Sequence, residues 1–207
     1  MKRYILFDFD GTLADSLFIG LEVLKRLQDK YHSKAPSLTM VRNFGMREVI
    51  KKIHFPLIKL PALVRDVRAE LSKKMLEISL FRGWVPVLPI LAKKYTLGIV
   101  SSNSVENVNV FLKHHNIQGL FDFVYSDNSV FGKQVVLKRL CKKQGIGLNE
   151  LVYVGDENRD IQAGCKLGIP VIAVSWGYNS KRLLQKEKAE YILQSPKELI
   201  KIIDTLK

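Results

Sequence analysis

The chain has 207 residues, 26% of them charged and 47% hydrophobic, the balance of a soluble globular protein with room for one domain, or one domain plus an insertion. Its net charge of +13 invites a nucleic-acid partner, but no aromatic-interleaved basic motif or helix-turn-helix signature accompanies it, so nucleic acid is the disfavoured partner; lysines on solvated helix faces and attraction of a small anionic substrate account for the charge equally well. Cys141 and Cys165 make no disulfide framework or metal-like spacing, acids come before any long apolar run at the start, and "GIPVIAVSW" is too short to span a bilayer, so a cytoplasmic protein with no membrane partner is expected.

Arg3 to Phe9 reads as a buried strand. From about Ser16 to His32, Leu17, Leu21, Leu24 and Leu27 recur at helical spacing, and "SKAPS" breaks the run. The next forty residues are also helical, punctuated by Gly45, Pro56 and Pro61. Leu60, Leu63, Val64, Val67, Leu71, Met75 and Ile78 form one apolar stripe there, which reads as helix-packing core. From Gly83 the pattern alternates. "GWVPVLPILAKKY" is a helix, "TLGIVSS" a strand, "NSVENVNVFLKHHNI" a helix, "FDFVYS" a strand and "GKQVVLKRLCKKQGI" a helix. "LVYVGD" is then a strand, "NRDIQAGCKLG" a helix and "PVIAVSW" a strand, before two terminal helices, "KRLLQKEKA" and "SPKELIKIIDTL". Strands alternating with helices predict a parallel sheet covered on both faces, an α/β fold. The helical block from about Asp15 to Arg82 interrupts that alternation and reads as an insertion.

The first strand ends in two acids, Asp8 and Asp10, two residues apart and so aimed to one side of an extended segment. Like charges there repel and resist desolvation, a conflict a divalent cation relieves. The plainer reading, an Asp-Gly turn, leaves the second acid and the apolar lead-in unexplained. Ligands of parallel sheets sit beyond the carboxyl ends of the strands. Ser101, Ser102 and Asp156 end other strands, and Lys133 follows a fourth after a short loop.

"DFDGTLADS", "IVSSN", Gly132–Lys133 and "VGDENRD" resemble, in order and spacing, the four motifs of the haloacid dehalogenase superfamily. The tail "GCKLGIPVIAVSWGYNSKRLL" with "AEYILQSPKELIKII" resembles the phosphoglycolate-phosphatase-like branch. The resemblance covers nearly the whole chain. It implies a Rossmann-like doubly wound parallel sheet core, residues 1–14 and 83–207, with a helical-bundle cap at 15–82. It also implies a Mg²⁺-dependent phosphatase acting on a small phosphorylated metabolite, as a monomer or homodimer.

By this resemblance Asp8 is the nucleophile that forms an aspartyl-phosphate. The Asp10 side chain acts as general acid and then base, and its carbonyl joins Asp8 and Asp156 as metal ligands. Gly11, Thr12, Ser101 and Ser102 bind phosphate. Lys133 neutralises Asp8 and the transferring group, and Asp160 holds a metal water or orients Lys133. Pro often follows this lysine in the family, and here Gln134 does. Asn103 and Ser104 suit a helix N-cap, Glu157 is a neighbour of the metal or a solvated acid, and Arg42, Arg47 and Lys51 flank Gly45, where a cap loop reaches over the site. A phosphomutase, a phosphonate hydrolase using a cap lysine, and a non-catalytic basic nucleic-acid-associated module are the alternatives.

Overall fold

A computed structural model of the chain describes residues 3–127 and 132–206. The extreme ends of the expected core domain, 1–2 and 207, and the loop 128–131 lie outside the described residues. In chain order the elements are β1 Tyr4–Asp8, β2 Ala14–Asp15, α1 Leu17–Tyr31, α2 Leu38–Phe44, α3 Met46–Lys52, α4 Leu60–Lys73, β3 Ser79–Leu80, α5 Trp84–Ala92 and β4 Thr96–Ser101. They continue with α6 Val105–His114, β5 Phe123–Ser126, α7 Lys133–Gln144, β6 Leu151–Gly155, α8 Asn158–Leu167, β7 Val171–Val174, α9 Lys181–Lys186, β8 Tyr191–Leu193 and α10 Lys197–Ile203.

Six strands form one parallel sheet in the order β5-β4-β1-β6-β7-β8. Its central strands are buried on both faces, which is why they read as unbroken apolar runs. Alternation divides each strand between two cores. Ile5, Phe7, Ile99, Val152, Val154, Ile172 and Val174 face α5, α6 and α10. Leu6, Val100, Leu151, Tyr153 and Ala173 face α7, α8 and α9. The sheet is thus doubly wound, as the alternation of elements predicts. The β8 strand was not expected: "YIL" is three residues long and reads as the approach to the last helix.

Helices α1 to α4 enter and leave through a two-stranded antiparallel ribbon, with Ala14 opposite Leu80 and Asp15 opposite Ser79. Leu17, Val41 and Val49 form a small core of their own. The apolar stripe divides: α4 buries none of its residues fully, while Met75 and Ile78 lie beyond its end and pack into the main core. The helical period ran across this boundary because a 3₁₀ turn keeps nearly the same spacing. Among the described residues no helix is long and apolar enough to cross a membrane.

Candidate active site

Parallel register brings the carboxyl ends of β1, β4 and β6 to one edge: Asp8 lies beside Val100, and Phe7 beside both Ile99 and Val154. Asp8 is buried there. Its Oδ1 accepts from the Phe9 amide at 2.9 Å, and its Oδ2 from Lys133 Nζ at 2.5 Å. Lys133 opens α7 after Gly132, whose φ of +91° suits glycine. Its ammonium also lies 2.6 Å from Asp160 Oδ1 and 5.0 Å from the centre of the Tyr153 ring. Asp160 is the third residue of α8, and its Oδ2 accepts from the Glu157 amide at 2.9 Å, closing the start of the helix. One carboxylate thus caps α8 and fixes Lys133.

Asp156, at the end of β6, is fully buried. Thr12 Oγ1 donates to its Oδ1 at 3.0 Å and the Tyr178 amide to its Oδ2 at 2.7 Å. The loop after Asp10 is pressed against it. Gly11 has φ +80°, and a Cβ on it would lie 2.1 Å from Asp156 Oδ2. The Gly11 and Thr12 amides donate within this turn, to the Ala14 and Phe9 carbonyls, and the Thr12 hydroxyl holds Asp156. Both tryptophans of the chain, Trp84 and Trp176, donate to the Thr12 carbonyl, at 2.9 and 3.2 Å. The buried Ser101 Oγ accepts from the Asn103 amide at 2.9 Å, while Ser102 is exposed. Ser104 is the N-cap of α6.

Asp8, Asp156 and Asp160 each place an oxygen within 4.8 Å of the others. The Asp10 carboxylate stands outside that cluster, with Ser16, Arg159 and Glu157 as its polar neighbours. Its Oδ1 is buried without a hydrogen-bond partner among the described residues. Burial pushes Asp8 up to about 6 against the opposing pull of Lys133. Burial likewise raises Asp156 well above the carboxylate range, with Glu157 adding to it, and raises Asp10 although a Ser16 hydrogen bond opposes it. Burial alone would lower Lys133, but Asp160 and Asp8 outweigh it and hold the ammonium charged.

The Mg²⁺ implied by the resemblance is testable against these donors. The cluster is all carboxylate oxygen, the chemistry a small hard cation takes. Its three buried carboxylates face one lysine, and burial raises Asp8 and Asp156, a desolvation cost that a bound cation would offset. The residues present fit the ion.

Several contributors escaped sequence reasoning. Ser16 is fully buried at the start of α1, and its hydroxyl lies 3.3 Å from that of Tyr178. Tyr178 therefore holds Asp156 by its backbone and the entry to the helical block by its side chain. The signal for Ser16 was present in "DFDGTLADS". Tyr178 sits in a loop with no periodicity to mark it. Arg42, read as a candidate for the mouth, instead donates to the Ser175 carbonyl at 3.1 Å and accepts from the Ser180 amide at 2.7 Å. Lys51 pairs with Glu48 and Arg47 is exposed. Gly45 does reach the mouth: a Cβ on it would lie 3.1 Å from Asn158 Oδ1.

Comparison with known proteins agrees with this geometry. The profile of the haloacid dehalogenase-like hydrolases matches residues 5–174. A phosphoglycolate phosphatase of Synechococcus elongatus is 28% identical over 98% of this chain and 97% of its own length. A pyrophosphatase PpaX of Bacillus mycoides is 22% identical over the same shares of the two chains. A solved structure titled a predicted phosphatase from Clostridium acetobutylicum has the same fold, with a TM-score of 0.85 at 23% identity and 98% of each chain covered. So does a haloacid dehalogenase-like hydrolase from Streptococcus pneumoniae, with a TM-score of 0.82 at 22% identity over 98% of each chain. The carboxylates gathered at the sheet edge therefore have a family to belong to: the chain is an enzyme of the haloacid dehalogenase-like hydrolases, in their phosphoglycolate-phosphatase-like branch.

Proposed function

We propose that this enzyme is a Mg²⁺-dependent phosphatase that hydrolyses a small phosphorylated metabolite, of the phosphoglycolate kind, through an aspartyl-phosphate on Asp8. One observation carries the reading: a buried carboxylate at the end of β1, fixed by Lys133 at 2.5 Å, shares one edge with Asp156 and Asp160 within 4.8 Å. Asp8, Asp156 and the Asp10 carbonyl would hold the metal, with Asp160 beside them. Bound Mg²⁺ would neutralise phosphoryl charge and lower the repulsion between the substrate and Asp8.

The chain's own groups supply the rest. An Asp8 oxygen forms a bond to phosphorus as the bond to the leaving oxygen breaks, and Asp10 gives that oxygen its proton. A carboxyl raised by burial is suited to arrive protonated. Asp10 then takes a proton from the water that attacks phosphorus, and phosphate leaves with Asp8 restored. Lys133 balances charge on Asp8 and the transferring group. Ser101 and Ser102 face the phosphoryl oxygens at the end of β4, and the turn at Gly11 and Thr12 shapes the floor.

The phosphonate-hydrolase alternative needs a free lysine in the helical block; Lys30, Lys51, Lys73 and Lys74 each pair with an acid, which leaves Lys25, Lys34, Lys52 and Lys59 as its candidates. The test is a screen of phosphate esters with and without Mg²⁺, comparing wild type with Asp8→Asn. Metal-dependent phosphate release that disappears in the variant is expected. Release that survives it ends the covalent route, and isomerised substrate without free phosphate points to a mutase.

A further inference from the structure

One loop, Ser175 to Ser180 between β7 and α9, is wrapped around Asp156 and has no regular structure of its own. Trp176 Nε1 donates to the Thr12 carbonyl at 3.2 Å. Gly177 is pressed against the Gly11 carbonyl and Asp156, with no space for a Cβ. The Tyr178 amide donates to Asp156 Oδ2 at 2.7 Å. The Asn179 amide donates to the Asp156 carbonyl at 3.4 Å, and the buried Asn179 Oδ1 accepts from the Asn158 amide at 2.8 Å.

The same loop is gripped from its other side by the helical block. Arg42, in α2, donates from its guanidinium to the Ser175 carbonyl at 3.1 Å and accepts at its own carbonyl from the Ser180 amide at 2.7 Å. One residue thus clasps both ends of the loop. Between those ends the Tyr178 ring packs with Leu17, Val41 and Val49, the small core of that block. Its hydroxyl lies 3.3 Å from Ser16 Oγ at the start of α1, and a Cβ on Gly20, one turn on, would lie 3.4 Å from it. At the junction of α2 and α3, Gly45 meets the side chain of Asn158. Arg42 has no hydrogen bond or ion pair with Asp8, Asp10, Asp156 or Lys133 among the described residues, so any effect on them passes through the loop.

We infer that Arg42 and Tyr178 are positioning residues for Asp156, through which the helical block sets the Mg²⁺ affinity of the sheet edge. A ligating carboxylate is oriented by the groups that hydrogen-bond to it. For Asp156 Oδ2 that group is a backbone amide, and its place depends on how the loop is held. Released at Ser175 or at the Tyr178 hydroxyl, the loop shifts and the Tyr178 amide shifts with it. Uptake of the ion and seating of α2 and α3 are then linked, each favouring the other by the same factor. This inference rests on the reading of Asp156 as a metal ligand.

The experiment titrates the full chain with Mg²⁺ alone, without substrate, by calorimetry, in wild type, Arg42→Ala, Arg42→Lys, Tyr178→Phe and Ser16→Ala. Intrinsic fluorescence is a second readout, because Trp84 and Trp176, the two tryptophans of the chain, both donate to the Thr12 carbonyl in the turn against Asp156. Arg42→Ala and Tyr178→Phe are each expected to raise the dissociation constant about threefold to tenfold. Arg42→Lys, which keeps a donor for the Ser175 carbonyl, stays nearer wild type. Ser16→Ala adds little to Tyr178→Phe, because both remove the same bond. Hydrogen exchange reads the reciprocal effect: Mg²⁺ slows exchange of the α2 and α3 amides in wild type and slows it less in Arg42→Ala. Metal-free melts control for plain destabilisation. A variant that melts lower without metal yet keeps the wild-type dissociation constant has lost packing only and overturns the proposal. Exchange in α2 and α3 that ignores Mg²⁺ in wild type overturns it too. Wild type that takes up no Mg²⁺ removes the metal reading together with this inference, whereas uptake unchanged by the variants removes this inference alone.

Discussion

At Asp8, burial opposes the charge its chemistry needs. Its folded value, about 6, lies above the ordinary 3.8, and Asp10 and Asp156 are shifted the same way by burial. A carboxyl raised on folding contributes stability that is full below the unfolded value and is lost as pH rises through the folded one. The metal-free protein should therefore melt at progressively lower temperature between pH 4 and about 6.5. Asp66 is lowered to about 2 by hydrogen bonds from Lys30 and Tyr31, so its loss on acidification falls below that window. Mg²⁺ added at pH 7 should restore the melting temperature; thermal melts over pH with and without the ion check this, and a flat profile with no ion response contradicts it. A second test is steric. A Cβ on Gly177 would lie 2.3 Å from the Gly11 carbonyl oxygen and 2.4 Å from Asp156 Cβ, so Gly177→Ala should cost about 1–3 kcal/mol and weaken Mg²⁺ uptake. Gly119→Ala, with nothing within 4 Å, is the neutral control in chemical denaturation. The acids and Lys133 were readable in the sequence because charge at the end of an apolar strand demands compensation. Tyr178 was not, since its loop has no periodicity.

At the scale of elements, legibility followed length and burial. β1, β4, β6 and β7 are four to six residues long and buried on both faces, so each stands out as an apolar run. β2 and β3 have two residues each, too few for any period, and they form only because the chain must leave and re-enter beside Leu13. β8 was hidden by its neighbours: Glu190 before it and Pro196 soon after it leave three residues of signal. Helix starts were better marked. Ser37, Ser104 and Ser180 each accept from the amide three residues on, as N-cap serines do. The cap at Ser104 matters most to function, because α6 begins four residues after Ser101 and its first turn carries Asn107, which reaches Ser72 of α4. Ser104→Ala removes the acceptor for the Asn107 amide and should cost about 1 kcal/mol, seen as a melting temperature lower by about 2–4 °C. An unchanged melt would show that solvent satisfies that amide equally well.

For the molecule as a whole, the charge distribution separates the two kinds of partner that +13 admits. Residues 14–84 hold 14 Lys and Arg against 7 Asp and Glu, about half of the excess on roughly a third of the chain. The acids of the mouth are largely buried, whereas Lys25, Lys34, Lys51, Lys52 and Lys59 of the helical block are not. A substrate anion therefore meets a positive field first and the carboxylates last. Such a field raises encounter rates with small anions and is screened as the Debye length falls from about 30 Å at 0.01 M salt to about 10 Å at 0.1 M. With saturating Mg²⁺, kcat/KM for an anionic phosphate ester should fall several-fold as sodium chloride rises from about 10 to about 200 mM, while kcat stays constant because the bound complex is sheltered. A polymer contacting six or more phosphates would show a far steeper affinity slope, losing about three decades or more between 50 and 200 mM salt. Initial rates at low substrate, run beside filter binding of RNA and duplex DNA, read both quantities on one preparation. A shallow kinetic slope with no polymer retention assigns the charge to substrate capture. A flat kinetic profile with steep polymer retention would assign it to nucleic acid instead.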